Sequence, residues 1–473
     1  MKKKIGNLIY IIIFMLICVT PFACMGIAGM QESTENTEKQ AFPRWKEEGK
    51  WNKNYLSDMG SWFENNFAFR QQMVSANARL YADLFQVSST KKITVGTDGW
   101  LYYSVTGNDY KGLEQMSDRG LFNLGRIVSM MQERAEENGS RFVFTVPPNK
   151  NSLYGENMPY YEKKVSDDSN IKRVASVMEE NKIHYVDLYD FFQKKEETLY
   201  LKRDSHWNNK GALLVYNELL NMAQWPHNQY TEADPEVRKD CVGDLALMLY
   251  PEAAEPEENQ YYPQIFPYEY TNGADSVEAS EIETVGYFGT GSLLMYRDSF
   301  GNSLLPFMAG EFGKSYFTKL VPYYFDEEIE KHKPDVIVVE KVERHLKNLV
   351  AEPPVMQGPK VTAPKNMEKK ETSTTFHQQK IENDYYRVMG VVDEGSIGED
   401  DRVYIRMTDE KGESVMYEAF PVSLNLDNET SDYGYQLYLK EKSVPKGIIT
   451  SEVIVGHGDN GISVKTDISQ WKE

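Results

Sequence analysis

Apolar residues recur at helical spacing through residues 119–138, where Leu121, Leu124, Val128, Met131 and Ala135 share one face and Asn138-Gly139 supplies a stop. The next stretch, 141–146 (RFVFTV), is a short apolar run closed by Pro147-Pro148, which predicts a strand. The alternation continues with helices over 169–181, 208–223 and 304–312 and strands over 183–188, 292–297, 314–320 and 334–339. Strands separated by amphipathic helices predict a parallel sheet covered on both faces. Ahead of it, residues 51–84 carry aromatics at helical spacing, and Thr97-Asp98-Gly99-Trp100 reads as a turn into a strand.

Four stretches break the pattern. Residues 1–31 begin with Lys2, Lys3 and Lys4 and continue as an uncharged, apolar run, which predicts export by a signal peptide or a single-pass membrane anchor. Residues 32–50 are polar and read as a stalk, so the α/β region is expected over 51–351. Residues 252–285 are acidic and aromatic, too irregular for the central sheet, and are expected to border the active site. Residues 352–373 are Pro- and Lys-rich and read as a linker. Beyond them, 374–473 carries short strands divided by Asp, Gly and Pro turns, which predicts a small all-β domain, a sandwich that folds separately and contacts glycan.

Length and charge narrow the function. A chain of 473 residues needs more than one core. A formal charge of -20 argues against nucleic acid, since phosphate binding needs a basic footprint. Of the three cysteines, Cys18 and Cys24 lie in the N-terminal apolar run, so Cys241 has no intrachain partner in the exported part and no Cys-based zinc site is expected. No metal or cofactor is expected.

Two short motifs carry chemistry. Lys202-Arg203-Asp204-Ser205-His206-Trp207-Asn208 follows a strand-like segment and opens a helix. Asp204 and His206 at i and i+2 face the same way on extended backbone, so the carboxylate can orient the imidazole. Asp204 or Asn208 acting as a helix cap is the plainer alternative. The strand 292–297 ends in Asp298-Ser299 before a helix, which presents the Ser299 hydroxyl at the carboxyl edge of a parallel sheet beside a helix N-terminus. Here too Asp298 or Ser299 could be a cap, but the two motifs at two strand ends of one sheet favour a Ser299–His206–Asp204 triad.

In this order, Asp-x-His first and serine later, the motifs resemble the AlgX/AlgJ-type SGNH hydrolase-like proteins, also called DHHW proteins. Further matches are Val95–Leu101 (VGTDGWL), Gly243–Leu249 (GDLALML) and Pro334–Val338 leading to Glu343-Arg344. The resemblance implies a three-layer α/β/α domain with a parallel central sheet. It implies O-acetyl transfer to a cell-surface or secreted polysaccharide, with Ser299 as nucleophile, His206 as base and acid, and Asp204 as the orienting carboxylate. It also implies a membrane-bound O-acyltransferase partner that delivers the acyl group outside. Arg297 stands where the family's usual glycine precedes Asp-Ser, and the Gly-x-Asn-Asp block of ordinary SGNH enzymes is absent. Asn149 and Arg344 are candidates for contact with substrate, the first as an oxyanion donor. Tyr261 and Tyr262, with Phe266 and Tyr268, are candidates for stacking on sugar rings. An esterase using the same triad, or a non-catalytic glycan-binding scaffold, is the competing expectation.

Overall fold

The computed structural model describes residues 2–25, 42–47, 49–370, 374–375, 377–426, 429–444 and 448–464. The central sheet comprises β1 (Arg141–Thr145), β2 (Tyr185–Val186), β3 (Tyr268–Tyr270), β4 (Glu281–Gly286), β5 (Ser292–Tyr296), β6 (Lys314–Thr318) and β7 (Val336–Glu340). Its strand order is β2-β1-β7-β5-β6-β4-β3, which places β5 at the middle. The five strands from β2 to β6 pair in parallel. Successive residues of β1 go to opposite faces: Phe142 and Phe144 join one buried cluster and Val143 another. One face is covered by α2 (Asp118–Glu137) and α3 (Asn170–Glu180), the other by α4 (Asn209–Met222) and α5 (Gly301–Glu311), where α1 is Lys2–Cys24. This is the expected α/β/α arrangement.

The sheet extends further than the sequence reading allowed. β3 and β4 lie within or at the end of the acidic segment 252–285, yet they add two antiparallel strands at the edge beside β6. The reason is visible in β4, where Ile282, Thr284 and Gly286 are buried and alternate with more exposed residues, the pattern of a strand with one covered face. The segment 51–84 forms two helices, Tyr55–Asn66 and Arg70–Phe85, rather than one.

The C-terminal sheet contains β8 (Asn366–Lys370), β9 (His377–Ile381), β10 (Tyr385–Val391), β11 (Arg402–Asp409), β12 (Ser414–Leu426), β13 (Glu429–Lys440), β14 (Ile448–His457) and β15 (Asn460–Val464), in the order β8-β15-β14-β11-β12-β13-β10-β9. β12 belongs to both halves: residues 414–419 pair with β11 and 420–426 with β13. Val403, Ile405 and Val453 from one half share a core with Val388, Leu437 and Leu439 from the other, as in a sandwich.

This β region packs directly against the α/β region. Tyr385, Phe420, Val422 and Tyr438 belong to the same buried cluster as α2 and the central sheet. The polar side of α2, which amphipathic spacing alone would leave in water, is also covered. Arg119 donates to the carbonyls of Glu399 and Asp401 at 2.9 and 2.7 Å, and Asn123 donates to that of Asp432 at 2.8 Å. Arg126 forks onto Glu418 at 2.6 and 2.9 Å, with both side chains buried. Cut away from the α/β region, the β region would expose these apolar and charged groups. The segment expected as a linker takes part too, since Val355 and Met356 are buried and 366–370 is a strand.

In α1, three lysines occupy the first turns and the side chains from Ile5 to Val19 are exposed. Among the described residues no helix is long and apolar enough to cross a membrane. Most of the expected stalk, and residues 26–31 before it, lie outside the described residues.

Candidate active site

The Asp204–His206 motif sits on a tight loop pinned at its base. Tyr200 and Trp207 pair across it, His206 C=O accepts from Leu201 N–H at 3.2 Å, and Leu199 C=O accepts from Asn208 N–H at 2.9 Å. Asn208 then caps α4, its side chain accepting from Gly211 N–H at 2.8 Å. The cap is therefore Asn208, and Asp204 is left for other work. The aromatic residue of the motif has a mechanical role: Trp207 Nε1 donates to Ser303 Oγ at 2.7 Å and its ring meets Phe300 edge-on at 4.8 Å. It ties the histidine loop to α5.

Ser299 stands between the carboxyl end of β5 and the start of α5. Its side chain does not cap the helix, because Asp298 Oδ1 accepts the Phe300 N–H at 2.9 Å. The other oxygen of Asp298 accepts from Val342 N–H at 2.8 Å, and the buried Glu340 carboxylate accepts from Asp298 N–H at 3.0 Å, so the turn is anchored to β7. Gly301 is required by packing, since a Cβ there would lie 2.7 Å from Arg297 Cβ.

The two loops meet. His206 Nε2 is 2.8 Å from Ser299 Oγ, and His206 Nδ1 is 2.7 Å from Asp204 Oδ1. Asp204 Oδ1 also accepts from His206 N–H at 2.9 Å, and Oδ2 accepts from Asp244 N–H at 2.9 Å. Burial disfavours charge on Asp204, but the hydrogen bond and charge of His206 and these backbone donors outweigh it and hold the carboxyl at about 2. For His206 burial again opposes charge, and pairing with Asp204 outweighs it, so the imidazole pKa is raised. Only a neutral imidazole can accept the serine proton. Turnover of a small ester is therefore expected to fall with decreasing pH, with a midpoint above the unperturbed value of about 6.5. A kcat/KM–pH profile checks this, and Asp204→Asn should move the midpoint down.

Two supporting residues were not singled out in the sequence. Asp244 sits beneath the pair: its Oδ1 accepts from Ser205 N–H at 2.7 Å and its Oδ2 from the Ser205 hydroxyl at 2.6 Å. Burial, followed by the charge of Asp204, raises the Asp244 pKa. Asp204, His206 and Asp244 offer three potential cation ligands within 4.8 Å. All four carboxylate oxygens, however, already accept hydrogen bonds, and Nδ1 is engaged with Asp204. The Gly-Asp step that brings Asp244 here is the only local signal, and Gly243 is needed because a Cβ would lie 2.3 Å from Arg203 O.

Lys150 is the second. Its buried ammonium donates to the carbonyls of Leu201, Lys202 and Asp204 at 3.2, 2.9 and 2.5 Å, clamping the loop from below. Burial pushes its pKa down to about 7, against the pull of Asp204, Asp244 and Glu257. Lys150→Met should keep the fold but release the loop, lowering kcat/KM about 100-fold, the order expected for small misplacements of catalytic groups. Steady-state kinetics alongside near-UV circular dichroism would check it.

The remaining candidates divide. Ser299, His206, Asp204, Tyr261 and Tyr262 line one cavity of about 720 Å³. Tyr262 is only 8% exposed, packs on Phe307 and donates its hydroxyl to Gln260, so it forms wall rather than an open platform. The Tyr261 ring is covered by Arg238 at 3.5 Å, and its hydroxyl donates to Asp240. Phe266 and Tyr268 pin the loop, packing on Tyr230 and on Tyr270, and do not line this cavity. Arg344 also lies off it, with its guanidinium 5.7 Å from the Phe300 ring and its charge opposing protonation of His206. Asn149 is not brought to the cavity: its backbone N–H donates to Glu343, and its buried amide faces Asp109 without a well-formed hydrogen bond.

Comparison with known proteins places part of this arrangement. Residues 93–285 match the family model described as ALGX, the SGNH hydrolase-like domain of acetyltransferase AlgX. That segment holds Asp204, His206 and Asp244 and ends before Ser299. No curated protein matches the chain. Similar solved structures include PatB1 from Bacillus cereus, at 16% identity and a TM-score of 0.44, over 54% of this chain and 96% of that one. A DHHW family protein from Eubacterium siraeum aligns at 19% identity and a TM-score of 0.43, over 55% and 93%. AlgX from Pseudomonas aeruginosa aligns at 13% identity and a TM-score of 0.36, over 76% and 90%. The resemblance read from the sequence is thus matched over residues 93–285, which are similar to the SGNH hydrolase-like domain described for acetyltransferase AlgX.

Proposed function

We propose that this protein is an extracytoplasmic O-acyltransferase that passes an acyl group through Ser299 to a hydroxyl of a cell-surface or secreted polysaccharide. The observation that carries the reading is His206 set between Asp204 and Ser299 at 2.7 and 2.8 Å. Ser299 Oγ attacks the acyl carbonyl carbon while its proton passes to His206 Nε2. Asp204 stabilises the imidazolium, which then gives that proton to the leaving oxygen as the donor bond breaks. An acceptor hydroxyl next attacks the acyl-serine, loses its proton to His206, and Ser299 Oγ recovers the proton as the new ester leaves. The oxyanion would form beside the start of α5, where the helix N-terminus favours negative charge.

The N-terminal segment, basic and then apolar, supports export as a signal peptide or anchor. An exported enzyme has no access to cytoplasmic acyl donors, so a membrane-bound O-acyltransferase is the expected donor partner. Arg344, beside Phe300, is proposed to meet the acceptor. The division near residue 352, with the β region contacting glycan, belongs to the same proposal. Hydrolysis would share the acyl-serine, so the test is the fate of the acyl group. With a small acyl ester and wall oligosaccharides present, ester should accumulate on the glycan faster than free acid appears, and Ser299→Ala should abolish both. Release of free acid alone would make the protein an esterase.

A further inference from the structure

On the reading that Ser299 carries the acyl group, we propose that this group is a chain longer than acetyl, seated in the apolar cavity beside the serine. Ser299, Ser303, Pro306 and Phe307 all face that cavity. Within α5, Ser303, Pro306 and Phe307 recur at i, i+3 and i+4, so one face of the helix forms a wall that leads away from the serine. Leu247, Tyr262 and Ile265 stand among the other lining residues. The volume is about 720 Å³ and the accessible lining is mainly apolar. An acetyl group would occupy only its mouth.

Several polar groups on the walls nearest the serine already have partners. Ser303 Oγ accepts from Trp207 at 2.7 Å, and the Tyr262 hydroxyl donates to Gln260 at 2.9 Å. Asn302 accepts from Arg297 at 2.5 Å and donates to Glu278 at 2.8 Å. Asn259 Oδ1 accepts two backbone N–H groups, both at 2.9 Å. A sugar ring seated against these groups would compete with bonds already made, and unmade hydrogen bonds are costly. Methylene groups ask for no partner and gain from the same burial. Arg344, which lies off the cavity, marks the side left for the acceptor.

The test uses the full chain and nitrophenyl esters of acetate, butyrate, hexanoate and octanoate. Full burial at the usual transfer free energy gives about fourfold in kcat/KM per added methylene, so even partial burial of the four added methylenes should put hexanoate about tenfold ahead of acetate. Ile265→Trp and Leu247→Trp each fill the cavity from a different element, and should lower the hexanoate-to-acetate ratio by about tenfold. Two variants are used so that one failing to fold does not end the test. Acetate turned over as well as hexanoate by wild type, or a ratio unchanged in the folded variants, overturns the proposal. If acetate turnover still depends on Ser299 in that case, the acyl-serine reading survives without the long chain. If no ester is turned over in a Ser299-dependent way, both fall.

Discussion

Asp204→Asn is expected to fold normally and to lose about four orders of magnitude in turnover, if the pair behaves as a serine triad does elsewhere. The amide can keep a contact to His206 Nδ1 at the 2.7 Å position but cannot stabilise the imidazolium. It can also present its N–H₂ to the ring and so favour the tautomer in which Nε2 carries the proton and cannot take one from Ser299. His206→Ala should lose nearly all turnover, because a neutral serine hydroxyl is a poor nucleophile without a base. Were Asp204 only a structural residue, Asp204→Ala would cost about 1–3 kcal/mol of stability through its lost hydrogen bonds and leave ester turnover in place. Measuring kcat/KM and urea stability on one preparation separates the two.

The largest expected loss of stability lies far from the serine. Glu418→Ala removes the bidentate partner of Arg126 and leaves a buried guanidinium with the half-exposed Glu133, at 2.6 Å, and the Ser129 hydroxyl, at 3.0 Å. Breaking a buried pair from one side costs about 3–5 kcal/mol, and the value here should fall near the lower end because Glu133 remains. The urea midpoint should drop accordingly. Replacing both residues together, Arg126→Met with Glu418→Met, should restore much of the loss, since the charges then left without a partner, Glu133 and Arg402, are both partly exposed. A double variant as unstable as the single one would mean that β12 and α2 are held by something other than this pair.

The parts of the site that could be read from the chain are those written in contiguous residues. Asp204 and His206 share one loop, Ser299 follows an apolar strand, and both motifs sit where the strand–helix alternation places them. What could not be read depends on partners far apart in sequence. Lys150 lies 54 residues from the Asp204 carbonyl it grips, and nothing in PPNK foretells a buried ammonium. Asp244 was visible only as part of a family match, without a role, because the residue it supports is 40 positions away. The same holds for the fold. Strands β1, β5 and β7 announce themselves by continuous apolar runs, whereas β3 and β4 come from a polar segment and extend the sheet outward by antiparallel pairing. The polar residues of α2 gave no sign that a second domain would cover them.

The most direct measurement is the site of acylation itself. Incubation with an acyl-nitrophenyl ester, followed by acid quench and peptide mass spectrometry, should find one added acyl group on the peptide carrying Ser299. His206→Ala should accumulate little of it, since the attacking hydroxyl keeps its proton without the imidazole 2.8 Å away. Ser299→Ala should gain none. An acyl group retained by Ser299→Ala, or undiminished turnover by that variant, would contradict the assignment of Ser299 as nucleophile and with it the acyl-transfer function.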